Sequence, residues 1–179
     1  MRALDNVGLT SGANVELLRS VININNRQRL LPVYALRERF GAGMDGLRVG
    51  VLGLAFKPNT DDVREAPSLD MINTLCDDGA IVSAYDPEAM ESARPHLPPA
   101  VRLADNVLET ANQAQAIVLV TEWPEFVDAN WQDVARCMNP PRFVFDGRNA
   151  LDGAKMQRLG FQYAGVGRNA NGPGLVQAV

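Results

Sequence analysis

Residues 47–87 read LRVGVLGLAFKPNTDDVREAPSLDMINTLCDDGAIVSAYDP, and this stretch decides the architecture. Its first ten residues, 47–56, form a nearly continuous apolar run, as a central parallel strand covered on both faces requires. Residues 67–79 switch to helical spacing. Leu69, Ile72, Leu75 and Cys76 fall on one stripe, Pro67 suits the first turn and Gly79 stops the helix. AIVSAY (80–85) returns to strand. Strand, crossover helix and second strand in this order predict a right-handed βαβ unit.

The alternation continues downstream. A short helix is expected at 87–94, a small strand at 101–104 and a helix at 105–113 capped by Asp105. AIVLVT (116–121), RFVFD (142–146) and FQYAGV (161–166) read as strands, with helices at 130–138 and 152–160 between them. Repeated units of this length predict a doubly wound, Rossmann-like parallel sheet. Upstream, residues 14–40 read as a long helix capped by Asn14, with Leu17, Leu18, Val21 and Ile22 at helical spacing. Pro32 should kink or divide it, and Gly41, Gly43 and Gly46 should end it. On pattern alone, a helix packed on its own domain and a connecting, dimer-forming helix are equally open. The apolar residues of 14–40 exceed one face, so some are expected to be buried in a partner. The chain thus divides into a helical connector (1–45), an α/β domain (46–170) and a loose tail (171–179).

Composition narrows the function classes. The chain has 179 residues, 46% hydrophobic and 21% charged, which suits one globular domain with an appended segment. A formal net charge of −4 with no basic run argues against nucleic acid as a partner. No apolar stretch approaches the roughly 20 residues of a membrane helix, and the start lacks signal-peptide features, so a cytoplasmic protein off the membrane is expected. Cys76 and Cys137 form no CxxC pattern and have no neighbouring histidine; both read as structural thiols, leaving no catalytic residue to assign. His96 stands alone, so no metal site is expected.

In a doubly wound sheet, ligands bind at the carboxyl ends of the strands. GLAFKP (53–58) occupies the place of a dinucleotide fingerprint, but Ala55 replaces its second glycine and Pro58 its third. The nucleotide loop has been rebuilt, which argues against a standalone NAD-binding domain. Lys57, Asp61, Asp62, Arg64 and Glu65 crowd the loop, either as a solvated surface or as a clamp whose two cations hold phosphates. Asp86 could approach a ribose or cap the turn at Pro87. Arg148, in DGRN (146–149), leaves the same edge either as a salt-bridging arginine or as a ligand contact. Trp123 reads as a packing residue.

GLAFKPNTDDVREAP (53–67) resembles the signature of the UDP-glucose/GDP-mannose dehydrogenase family's C-terminal nucleotide-sugar-binding domain. YDP (85–87), TEWPEF (121–126) and FDGRN (145–149) match further landmarks in order, and VININNRQR (21–29) is similar to the end of the family's middle helical region. The resemblance covers about 1–170. It implies an NAD-dependent oxidation of a sugar nucleotide's C6 alcohol to a carboxylate. Phe56, Lys57 and Arg148 would contact the substrate, Arg64 would reach the NAD of another domain, and the N-terminal helix would form a homodimer. Glu122-Trp123 looks more like the UDP-glucose branch than the GDP-mannose or UDP-N-acetylmannosamine branches. By the same resemblance, this sequence is expected to begin just after the family's GGSC motif, without the NAD domain and the catalytic cysteine. UDP-glucose or a similar nucleotide sugar is therefore the expected ligand, with no turnover by this chain and NAD binding poorly. The rival expectation is a non-enzymatic assembly module.

Overall fold

A computed structural model describes residues 16–168. The cap expected at Asn14 and the tail at 171–179 lie outside them. Helix α1 (Glu16–Arg29) and helix α2 (Leu31–Phe40) come from one predicted helix, divided at Leu30 with Pro32 in the first turn of α2. There the proline's missing N–H costs nothing and its fixed φ suits the helix. A bond from the Gly41 amide to the Arg37 carbonyl, 2.8 Å, closes α2. Pro32, Val33, Ala35 and Leu36 are buried, so α2 shares the core of the α/β domain.

β1 (Arg48–Leu52), α3 (Pro67–Asp77) and β2 (Ile81–Tyr85) form the first βαβ unit. α4 (Met90–Ala93), β3 (Arg102–Leu103), α5 (Val107–Ala111) and β4 (Ala116–Leu119) follow. Then come α6 (Pro124–Val127), α7 (Trp131–Cys137), β5 (Phe143–Asp146), α8 (Gly153–Arg158) and β6 (Gln162–Gly165). Every strand pairs in parallel, in the order β3-β2-β1-β4-β5-β6. This is the doubly wound sheet that the alternation predicted, and the strand order reverses between β1 and β4. One core holds α2 and α3 against the sheet through Val33, Leu36, Met71 and Ile72; the other holds α5, α7 and α8 through Trp131, Val134 and Met156.

Three details differ from expectation. β1 ends at Leu52 rather than running to 56, because Gly53 turns the chain at φ 102. Its missing side chain matters twice over: a Cβ there would stand 2.6 Å from the Thr121 amide nitrogen. On α3 the buried residues are Ser68, Met71, Ile72 and Leu75, one step round from the predicted stripe. Ser68 turns inward to donate to the Leu54 carbonyl at 2.7 Å, leaving Leu69 and Cys76 half-buried. On α5 the cap is Asn106, which accepts from the Glu109 amide at 2.9 Å, and not Asp105.

Gly53→Ala should lower stability by about 2–4 kcal/mol, combining strain at positive φ with the clash against Thr121. Urea denaturation measures it.

Candidate functional site

The site forms where β1 and β4 leave the sheet. Gly53 donates to the Tyr85 carbonyl at 2.9 Å, holding the exits of β1 and β2 side by side. The chain then climbs through Leu54 and Ala55, whose amides both donate to Asp86 Oδ2, at 2.7 and 3.0 Å. The Trp123 indole donates to the same oxygen at 3.2 Å. Asp86 Oδ1 accepts from the Glu88 and Ala89 amides at 3.0 and 2.9 Å. The carboxylate is fully buried and joins the segments after β1, β2 and β4. Of the two roles open to Asp86, the structure shows the cap and turn. Trp123, also buried, packs and anchors as its sequence position suggested.

This arrangement explains the missing glycines. In a dinucleotide cradle the amides after β1 face a pyrophosphate. Here an internal carboxylate occupies them. The carbonyls of the same turn are also used, Leu54 by Ser68 and Ala55 by the Thr121 hydroxyl at 2.8 Å. The residues after β1 therefore do not fit an NAD pyrophosphate.

The open cleft lies beside this knot, between the sheet edge and the N-terminal helices, with a volume of about 590 Å³. Phe56, Phe145 and Arg148 line it from the sheet, and Asn25, Gln28 and Arg29 from α1. Phe56 is 52% exposed. Its amide donates to the Asp62 carbonyl at 2.9 Å, closing the charged loop on itself. Gly147 lets β5's exit reach β4: its amide donates to the Leu119 carbonyl at 2.9 Å, where a Cβ would lie 2.8 Å from that oxygen. Arg148 follows, its amide capped by buried Asp146 Oδ1 at 2.9 Å. Its guanidinium is gripped by Glu122, through Nε and through Nη2 at 2.8 Å. That hydrogen bond holds the Glu122 carboxyl below the usual range, against the opposing effect of burial. Arg29 bridges to Glu65 at 3.0 Å and Asp70 at 2.9 Å, fastening α1 to the loop and to α3.

The structure thus brings Phe56 and Arg148 to one cleft. It does not bring Lys57 and Arg64 there. Lys57 is exposed beside the loop. Arg64, its side chain 87% exposed, doubles back onto Asp62 through Nε at 2.9 Å and Nη2 at 2.8 Å. Side-chain and backbone hydrogen bonds from Arg64 pull the Asp62 carboxyl down to about 2. Nothing local in the sequence marks Arg29, within VININNRQR (21–29), as a wall of the cleft, or Glu122 as the grip on Arg148. Cys76 and Cys137 are half-buried, and burial pushes both thiols up, the reverse of an activated nucleophile. Among the described residues no cluster of metal-ligating side chains occurs, and no helix is long and apolar enough to cross a membrane.

A parallel sheet with a cleft at its switch point and a rebuilt first loop defines a nucleotide-binding α/β domain that has lost the dinucleotide cradle. Residues 50–153 match the model of the UDP-glucose/GDP-mannose dehydrogenase family, UDP binding domain, and the chain belongs to that family. It is 40% identical over 173 residues to a UDP-glucose 6-dehydrogenase of Pseudomonas aeruginosa, covering 94% of this chain and 38% of that protein. It is 39% identical over 166 residues to the UDP-glucose 6-dehydrogenase YwqF of Bacillus subtilis, covering 90% and 37%. The solved UDP-glucose dehydrogenase of Pyrobaculum islandicum superposes with a TM-score of 0.77 at 33% identity, over 92% of this chain and 35% of the other. The chain therefore spans little more than a third of the relatives it matches.

Two measurements probe the site. In a carboxyl-detected NMR titration, Asp62 should titrate near 2, and Arg64→Ala should return it toward 3.8. Asp86→Ala should cost about 3 kcal/mol or more, because buried amides and an indole N–H lose their acceptor together; thermal denaturation reads it.

Proposed function

We propose that this chain is the nucleotide-sugar-binding part of an NAD-dependent UDP-glucose 6-dehydrogenase, the enzyme class that converts UDP-glucose to UDP-glucuronate. The observation that carries the reading is the cleft itself. Its apolar and aromatic walls carry two guanidiniums held by carboxylates, Arg29 and Arg148, at the switch point of a domain matched to a UDP-binding family. Phe56 offers a partly exposed ring for the flat face of a base, and Arg148 offers fixed donors for a polar oxygen. Lys57 would close on the ligand from the loop. Because Asp86 fills this domain's own pyrophosphate cradle, NAD belongs to the part of the relatives beyond this chain, with Arg64 leaving Asp62 to meet it.

Hydride transfer needs the cofactor and the reacting carbon in one closed site. Half of a cleft binds without turning over. This segment supplies the nucleotide-sugar half of such a site, acting in the cytoplasm. Leu17 at 80% and Ile24 at 56% exposure leave apolar surface on α1 that suits a homodimer through this helix. That same surface supports the second reading, an assembly module without a ligand.

Isothermal titration of the 179-residue chain should show UDP and UDP-glucose binding, weakened about tenfold (about 1.4 kcal/mol) by Arg148→Ala. NAD should give no heat and no reduction with UDP-glucose. No heat with either uridine compound overturns the reading, and a dimer in sedimentation together with that result favours the assembly module.

A further inference from the structure

Two guanidiniums line the cleft among the described residues, Arg29 and Arg148. Arg29 is shared between two carboxylates on different elements, as a strap would be. Arg148 is held differently. A single carboxylate, Glu122, takes the Nε and Nη2 edge of the fork, while Nη1 makes no hydrogen bond among the described residues. The root of the side chain is fixed as well. Its amide is bound by Asp146, itself held by the Leu151 amide at 2.8 Å and the Tyr163 hydroxyl at 2.9 Å.

Glu122 is no loose surface acid. Its neighbours in the chain are both pinned: Thr121 donates to the Ala55 carbonyl and Trp123 to Asp86. The carboxylate therefore stands on rigid backbone and limits the rotamers open to a long side chain. Side-on pairing also sets a full negative charge against the cation, so the pair presents hydrogen-bond donors with little net field. A phosphate contact is favoured by the opposite, an uncompensated cation.

We infer that Glu122 is a positioning residue for ligand binding: it holds Arg148 side-on so that the Nη1 edge donates to uncharged oxygens of the ligand, sugar hydroxyls or base carbonyls, and not to phosphate. The role in binding rests on the nucleotide-sugar reading of the cleft; the grip on Arg148 does not.

The test uses the full chain and the variants Glu122→Ala, Glu122→Gln, Arg148→Ala and Glu122→Ala with Arg148→Ala. Thermal denaturation of each confirms folding. Nitrogen-15 relaxation of the Arg148 Nε–H should show a rigid side chain, mobile in Glu122→Ala and intermediate in Glu122→Gln. An equally rigid Nε–H in Glu122→Ala overturns the grip, whether or not any ligand binds. UDP-glucose affinity should fall about tenfold in Glu122→Ala and less in Glu122→Gln, with no further loss when Glu122→Ala is added to Arg148→Ala. A full loss in that background assigns Glu122 a different task. The slope of affinity against salt should be unchanged by Arg148→Ala; a flatter slope makes Arg148 a phosphate contact and overturns the inference. Loss confined to UDP-glucose marks a sugar hydroxyl, and equal loss with UDP marks the base. If neither compound binds the unaltered chain, the functional reading falls, and the relaxation data alone decide the grip.

Discussion

The buried carboxylate of Asp86 is the constraint on which the cleft depends. It gathers two amides from the turn after β1, two from the turn after β2 and the indole of Trp123 after β4. Each donor left without an acceptor in a buried setting costs on the order of 1–3 kcal/mol, so the loops cannot drift apart independently. One side chain thereby sets the relative positions of three strand exits. It also takes the backbone groups with which a doubly wound domain ordinarily holds a pyrophosphate. The same contacts that stabilise the loop redirect ligand binding to the neighbouring cleft.

That cleft is bounded by charges already matched within the chain. Glu122 grips Arg148, and Glu65 and Asp70 hold Arg29. A lip of loop cations closing on a diphosphate was one expectation of the sequence. In the structure the Arg64 guanidinium is engaged by Asp62, and Lys57 alone among the two loop cations carries no ion pair among the described residues. Exposed pairs such as Asp62–Arg64 are worth little, so exchanging Asp62 for a better anion is a small rearrangement. The Glu122–Arg148 pair, its side chains 36% and 41% exposed, stands on backbone pinned at Thr121, Trp123 and Arg148, and holds its geometry more firmly. The site thus combines a rigid wall with an adjustable loop, and the two differ in how far water screens them.

Local signals carried most of the architecture. Continuous apolar runs separated by helical stripes announced buried parallel strands, and each of the strands expected at 80–85, 116–121, 142–146 and 161–166 is present within a few residues. Pro32 announced the break between α1 and α2. The 53–67 motif led to the family, and its missing glycines indicated that the cradle was altered. Local pattern was not enough where a single side chain chose between neighbours. Asn106 rather than Asp105 caps α5, and an inward Ser68 rotates α3 by one step. Both choices depend on where the chain arrives in space.

Periodicity, turn residues and motif order are properties of neighbours along the chain, and these the sequence determined by itself: a doubly wound sheet, its ligand edge, and membership of one family. Partnerships between distant residues came only with the tertiary structure. Arg148 and Glu122 are 26 positions apart, and Arg29 and Asp70 are 41 apart. A carboxylate or a guanidinium carries no mark of its partner in the sequence. Which groups meet depends on how strand exits converge at the sheet edge, because hydrogen bonds act over about 3 Å while the chain connecting them can run anywhere.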